Sequence, residues 1–260
     1  MEYKNILFAV EDNIATITFN RPKVLNAINL ETILEFNNAI HKCEGDENIR
    51  AVILTGAGDR AFVAGADVTY FKDKSPQEIM KFVKLSQDAL RFMETMGKPV
   101  VASVNGFALG GGTEISMACD IRFASDKARF AQPEILLGFI PGWGGTQRLA
   151  RLVGVGRAKE LVLSGEQITA QRAYEIGLVN RVFTAEQLME ETKKFAQKLV
   201  GMPPFAIKMA KCAINYGYDL SLDSALNLEI QCNVQCFSTQ DLKEGVAAFL
   251  EKRKPNFIGR

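Results

Sequence analysis

The sequence predicts an α/β protein: a sheet covered by helices, followed by a helical C-terminal segment. Three observations predict it. From residue 5 to about residue 143, short β-branched runs alternate with stretches of helical period, the order that builds a helix-covered sheet. From Gly144 onward strand signals nearly vanish, and helical patterns follow one another to residue 252. The 260 residues are 47% hydrophobic and 23% charged, an ordinary globular mixture. A chain of this length buries about 70–75% of its unfolded surface and needs no disulfide or metal to fold. The expected division is a core over 1–200 that carries the site and a helical segment over 201–260.

The elements follow in order. Ile6-Leu7-Phe8-Ala9-Val10 and Ile14-Ala15-Thr16-Ile17-Thr18-Phe19 read as a hairpin turning at Glu11-Asp12-Asn13. Asn20-Arg21-Pro22 ends it. Asn29, with Glu31 and Thr32 behind it, opens a helix whose apolar positions Ile33, Leu34, Phe36 and Ile40 recur at helical spacing. Residues 51–56 are a short buried strand, and an irregular loop containing Gly56, Gly58 and Gly65 follows. A helix spans 76–96 and a strand 99–104. Gly110-Gly111-Gly112 lead into a helix through Cys119, and strands are expected at 121–124 and 128–131. Helices are then expected at 144–153, 157–164, 169–176, 185–200, 204–216, 220–236 and 239–252. The last of these carry too little core to form an independent unit, so they are expected to pack on the core or on a neighbouring subunit.

Composition excludes several function classes. Lys+Arg is 31 and Asp+Glu is 30, a net charge of +1, which argues against a polybasic nucleic-acid binder. The five cysteines are odd in number and irregularly spaced, so they form no disulfide framework. His41 is the one histidine, which makes a tetrahedral zinc site improbable and leaves little room for a Ser-His-Asp triad. It lies in the polar run His41-Lys42-Cys43-Glu44-Gly45-Asp46 and reads as a surface residue. Proton transfer is therefore expected from carboxylates. The N-terminus has no cationic n-region, and no stretch approaches about 18 uncharged apolar residues. The expected location is the cytoplasm, or a matrix compartment after removal of a transit peptide.

Three loops carry the chemistry: Phe62–Asp67, Gly106–Glu114, and Gln132-Pro133-Glu134 with the run Pro141–Arg148. Gly110-Gly111-Gly112 lie between a strand and a helix, where both tight packing and close approach of a ligand require glycine. The N–H groups free at the helix start suit an anion, either a phosphate or a transient oxyanion. The run matches neither GxxxxGK[ST] nor GxGxxG, so nucleotide-binding folds have little support. Glu114 falls in the first helical turn, where the dipole itself favours a carboxylate. Its neighbours Ile115, Met117 and Ala118 are apolar. Glu134 follows Pro133, as a residue of a helical first turn would, and precedes Ile135-Leu136-Leu137. Each has a purely structural reading. Together, two carboxylates in apolar surroundings are what water activation plus protonation requires. Gly65-Ala66-Asp67 is either a plain loop or a second backbone donor facing Gly111, and two such N–H groups make an oxyanion hole.

In this order the loops resemble the crotonase (enoyl-CoA hydratase/isomerase) superfamily. The resemblance runs from Asn5 to Phe257 and includes Asn20–Ala27, Ala64–Asp67 and Asn105–Leu149. It implies a crotonase-like spiral of ββα units with a C-terminal helical trimerisation segment, two trimers commonly forming a hexamer. It also implies an acyl-coenzyme A thioester as substrate, with no separate cofactor or metal. The thioester carbonyl would rest on the N–H groups of Ala66 and Gly111, and the reaction would pass through an enolate. Hydratases of the family carry two glutamates, matched here by Glu114 and Glu134, whereas its isomerases usually lack one of them or place it elsewhere. The resemblance therefore implies a hydro-lyase acting on trans-2-enoyl-CoA in fatty-acid metabolism. Double-bond isomerisation is the nearest alternative, and a non-catalytic acyl-CoA-binding or RNA-binding member a more distant one. Thr113 stands where many hydratases have Cys. Lys23 and Val24, the backbone of Ala64, Gly65, Ala66, Asp67 and Val68, and Phe249 and Lys252 reaching a neighbouring subunit match contacts to the coenzyme. Lys252 also reads as part of a solvated Lys252-Arg253-Lys254 tail. Phe139 and Trp143 flank the expected acyl pocket, although core packing explains both equally. Trp143 is expected to narrow that pocket and favour short chains.

Overall fold

The computed structural model describes residues 2–260. β1 (Ile6–Glu11) and β2 (Ile14–Phe19) pair antiparallel from Ile6↔Phe19 to Glu11↔Ile14. Asp12 and Asn13 take φ of 50° and 63°, the left-handed pair that suits a two-residue hairpin turn and that Asp and Asn tolerate. α1 (Leu30–Gly45) begins where the Asn29 side chain accepts from the Thr32 N–H, a cap its sequence position predicts.

From there the chain winds as a spiral. β3 (Ala51–Gly56), β4 (Ala61–Val63) and α2 (Pro76–Thr95) make one turn. β5 (Val100–Val104), β6 (Phe107–Leu109) and α3 (Gly111–Ala118) make the next. β7 (Ile121–Ser125) and β8 (Arg129–Ala131) then lead into a 3-10 turn, Pro133–Leu137. Each turn adds one strand to a large sheet ordered β1-β2-β3-β5-β7-β10 and the next strand to a small sheet ordered β4-β6-β8-β9. All pairs from β2 to β10 in the large sheet are parallel. Every residue of β3 and β5 is buried, as expected of parallel strands covered on both faces. On one face Ile17, Phe19, Phe36, Leu54, Phe62, Val104 and Ile115 belong to the main core. On the other, α7 (Ala185–Val200) places Leu188 and Ala196 over Val101, Phe123 and Ile53.

The remaining elements are α4 (Gly145–Val153), α5 (Val155–Ser164), β9 (Ile168–Thr169), α6 (Ala170–Glu175), β10 (Arg181–Phe183), α8 (Pro204–Gly217), α9 (Leu222–Cys236) and α10 (Gln240–Leu250). The helices lie where their periodicity places them. The expectation of an essentially helical chain from Gly144 onward is corrected by β9 and β10, the latter an edge strand of the large sheet. With two and three residues each, they are too short for an alternation to register. β4 and β6 escape for the same reason and read as loop. No residue of α8 is buried, and Cys232 alone is buried in α9. Among the described residues no helix is long and apolar enough to cross a membrane.

Candidate active site

The three loops meet around one cavity of about 300 Å³. Ala64, Gly65, Ala66 and Val68 line it from the β4 side, and Gly110, Gly111 and Glu114 from the start of α3. Glu134, Phe139 and Trp143 line it from the loop that precedes α4. Phe71 from a 3-10 turn (Val68–Phe71) and Ile79 and Val83 from α2 complete an apolar wall. This wall was not among the residues singled out from the sequence. Ile79 and Val83 are four apart on one helix face, a signal that periodicity alone cannot distinguish from ordinary core.

The Ala64–Asp67 loop is held from behind. Ala64 N–H donates to Leu25 O, Ile28 N–H to Gly65 O and Asp67 N–H to Ile28 O. Leu25 and Asn26 take φ of 53° and 59°. The buried Asn26 side chain supports this conformation by accepting from Arg21 N–H and donating to Ala57 O and Ala61 O. Arg21 reaches further, to Asp67 Oδ2 at 3.0 Å. The Asp67 carboxylate accepts from Thr69 and from Arg21, and both hold it below the usual carboxylate range. Neither Ala66 N–H nor Gly111 N–H donates to a protein acceptor among the described residues. The loops are close: a Cβ on Gly65 would lie 3.9 Å from Gly111 N.

The glycine run explains itself residue by residue. Gly110 has φ 51° and ψ −118°, and a Cβ there would stand 2.5 Å from Glu134 Oε1. A Cβ on Gly111 would enter the Trp143 ring at 2.3 Å, and one on Gly112 would strike Val63 O at 1.8 Å. All three glycines are thus required by packing against protein groups, and Gly110 and Gly111 in addition border the cavity. The Thr113 hydroxyl lies 2.6 Å from Ala108 O and 2.9 Å from Ala131 O, pinning α3 between β6 and β8.

Glu114 is almost fully buried. Its Oε1 accepts from Trp143 N–H at 2.7 Å and from Gly145 N–H at 2.6 Å. Burial, then the neighbouring Glu134, pushes its carboxyl up to about 8, against the opposing pull of those two N–H groups and of Arg148. Burial likewise pushes Glu134 up to about 7. With its side-chain amide turned so that the nitrogen faces Glu134, the orientation its neighbours favour, Gln132 donates to both Glu134 carboxylate oxygens, at 3.1 and 3.2 Å. Both carboxyls are thus held toward neutrality, where one can serve as a base and the other as an acid. Three contacts were not legible as such in the sequence: the Trp143 and Gly145 N–H groups on Glu114 and the Gln132 amide on Glu134. A Gly-Gly pair before a helix is the trace they leave.

Several positions expected to meet the coenzyme rather than the acyl group lie outside this cavity. Lys23 and Val24 are exposed in a 3-10 turn (Pro22–Val24) and do not line the cavity. The Asp67 side chain turns away to Arg21 and Thr69. Phe249 is 83% exposed and borders a separate apolar depression beside Phe205, Leu242 and Phe257. Lys252 follows it on the surface with φ 56°. The single chain thus does not bring α10 to the site. Trp143 serves both readings: its ring covers Gly111 and meets Phe82 edge-on at 5.7 Å, and it also borders the cavity. His41 is exposed, stacked on Phe92 at 3.8 Å, as its polar surroundings predict.

Fold and cavity together define a spiral α/β chain with a glutamate pair beside two backbone donors, and the comparisons with known proteins agree. The model of the enoyl-CoA hydratase/isomerase family matches residues 9–260. The chain is 46% identical to a crotonyl-CoA hydratase of Syntrophomonas wolfei over 260 residues, covering 100% of both chains. It is 49% identical to a short-chain-enoyl-CoA hydratase of Clostridium acetobutylicum, covering 98% of this chain and 97% of that one. A solved enoyl-CoA hydratase from Bacillus anthracis superposes with a TM-score of 0.96 at 40% identity, covering 99% of this chain and 100% of that one. The chain belongs to the enoyl-CoA hydratase/isomerase family.

Proposed function

We propose that this protein is a hydro-lyase that adds water reversibly across the double bond of trans-2-enoyl-CoA thioesters. The observation that carries the reading is the pair Glu114 and Glu134, both raised toward neutrality, in one apolar cavity with the N–H groups of Ala66 and Gly111. The thioester carbonyl accepts from those two N–H groups. Ionised Glu114, its Oε1 already held, takes a proton from water at its other oxygen as the water oxygen bonds to Cβ. The π electrons move toward the carbonyl as an enolate, and the two donors stabilise that charge. Glu134 in its protonated form delivers the proton to Cα, which gives the 3-hydroxyacyl thioester; the proton left on Glu114, the weaker acid of the two, must return to Glu134 before the next turnover. The names of the relatives point to a short acyl group such as crotonyl. No separate cofactor enters the reaction; coenzyme A is the handle of the substrate.

Double-bond isomerisation needs one acid-base carboxylate and no water, so two buried glutamates favour hydration. Product analysis on a panel of enoyl-CoA thioesters tests the reading, with Glu114→Gln and Glu134→Gln as controls. Hydration is expected in the wild type and a loss of about 10²–10⁴-fold in each variant, the range for a positioned acid or base. Near-wild-type hydration in either variant would sink the two-glutamate mechanism.

The coenzyme tail belongs, on this reading, near the Ala64–Val68 backbone, with Lys23 and Val24 at its nucleotide end. Phe249 and Lys252 would meet the coenzyme of a neighbouring subunit. An oligomer is supported by α9: Leu222, Leu226, Ile230 and Val234 repeat every four residues and are 73%, 48%, 55% and 60% exposed. An apolar stripe of this size on a folded chain marks an interface, and residues 201–260 are accordingly assigned to assembly.

A further inference from the structure

We propose that Arg148, locked to Glu94, is a positioning residue for hydration: it fixes the 142–145 loop so that the Trp143 and Gly145 N–H groups stay on Glu114 Oε1. The inference rests on the assignment of Glu114 as the group that activates water.

Arg148 sits in α4, yet its guanidinium spans three contacts. Nη1 donates to Trp143 O at 2.9 Å, while Nε and Nη2 donate to Glu94 Oε1 and Oε2 at 3.2 and 3.1 Å. Glu94 belongs to α2 and also accepts from Arg91 at 2.8 Å. The Arg148 and Glu94 side chains are 15% and 22% exposed, enough burial for the two-pronged pairing to hold its geometry. Trp143 is thus held from both sides of one residue: its carbonyl by Arg148, its N–H by Glu114. A second observation shows that the loop is shaped around the guanidinium. Gly144 has φ 106°, and a Cβ there would stand 2.1 Å from Arg148 Nη1. Gln87 of α2 holds the adjoining Gly142 carbonyl at 2.7 Å.

The consequence is mechanical and electrostatic. With Oε1 tied to two N–H groups, the carboxylate cannot rotate, and its other oxygen keeps one direction toward the attacking water. Displacement of a reacting group by about 1 Å costs on the order of 10²-fold. The charged groups around Glu114 are Glu134 from the Pro133–Leu137 turn and Arg148 from α4. Glu94 and Arg91 of α2 face Arg148 in turn. The Cys119 thiol at the end of α3 is pushed far up by burial and stays neutral. Arg148 is therefore the cation that favours ionised Glu114.

A lysine carries the charge but cannot span three acceptors with a planar fork. Arg148→Lys is expected to lower kcat about 10-fold with KM within about 2-fold, and Arg148→Met about 100-fold. In Arg148→Met the pH limb belonging to Glu114 is expected to move upward, because the neighbouring cation is gone. Glu94→Gln, which removes the charge but keeps the shape, is expected to lower kcat about 3- to 10-fold. It and Arg148→Lys carry the test if Arg148→Met fails to fold. In the double variant with Glu114→Gln the losses should not multiply, because Arg148 acts through Glu114. Wild-type kcat in all variants, losses that multiply, or a kcat loss with an unmoved pH limb would each overturn the proposal. If Glu114→Gln abolishes hydration while Arg148 variants remain fully active, the role of Glu114 stands and this inference fails. If Glu114→Gln is active, the underlying reading fails.

Discussion

The residues of this site are arranged against their own solvation. Glu114 and Glu134 are ordinary carboxylic acids placed where burial penalises their charge, and the penalty is only partly offset by N–H donors. Stability should register this. Both groups have an ordinary value of 4.5 and folded values of about 8 and about 7, so between these limits the folded chain holds protons the unfolded chain has lost. Their contribution to stability is therefore fullest below pH 4.5 and falls as pH rises to 8. Glu114→Gln keeps an oxygen for the Trp143 and Gly145 donors and cannot ionise. Thermal unfolding followed across this range should show it gaining stability over wild type as pH rises, on the order of 4 kcal/mol by pH 8. A constant difference from pH 5 to pH 8 would contradict the burial argument. Gly110→Ala should retain the fold and lose most hydration activity, because the methyl group collides with Glu134 Oε1; steady-state kinetics beside a circular dichroism spectrum checks this. Trp143→Ala removes the ring over Gly111 and opens the acyl side. Turnover of decenoyl-CoA relative to crotonyl-CoA should rise, and an unchanged preference would show that Trp143 is core alone.

At the scale of elements, the site depends on segments with little regular structure of their own. The oxyanion loop is a β4 extension fastened by residues 21–28, where Leu25 and Asn26 occupy left-handed backbone. Asn26 tolerates that conformation and satisfies three backbone groups at once. Asn26→Ala leaves Arg21 N–H, Ala57 O and Ala61 O without this partner, at about 1–3 kcal/mol for a buried group stripped of its bond. Chemical denaturation should report a loss of about 2–4 kcal/mol, and kcat should fall further than substrate affinity because the Ala66 donor is displaced. Long helices and the first strands were legible from the sequence because hydrophobic period and caps repeat over many residues. Asn29 and Ser75 each cap a helix through their own side chain. β4, β6, β9 and β10 were not legible: strands of two or three residues carry no period, and each forms against a partner that the winding of the chain brings alongside, β4 on β6, β6 on β8, β9 on β8 and β10 on β7.

At the scale of the whole molecule, one chain presents an apolar stripe on α9, and α10 carries Phe249 and Lys252 away from its own cavity. On the assembly proposed above, a neighbouring copy would account for both. Ile230→Glu together with Leu226→Glu should shift sedimentation from an oligomer toward the monomer while the helical signal persists. If assembly also completes the coenzyme site, KM should rise in the same variant. Retained assembly would place the interface elsewhere.

What the sequence by itself determined is the chemistry available and the order of its parts. A single histidine and no metal-ligand cluster left carboxylates and backbone dipoles. The loops around Gly65, Gly111, Glu114 and Glu134 carried the family resemblance. Sequence also determined the helices, whose signals are local. Only the tertiary structure decided which of those groups meet. It put Glu114 on the N–H groups of Trp143 and Gly145, turned Asp67 away to Arg21, left Lys23 on the surface, and tied Arg148 to Glu94 across two helices. These are contacts between residues 29 to 54 positions apart. Their geometry follows from how the spiral closes, and no periodicity or spacing along the chain encodes it.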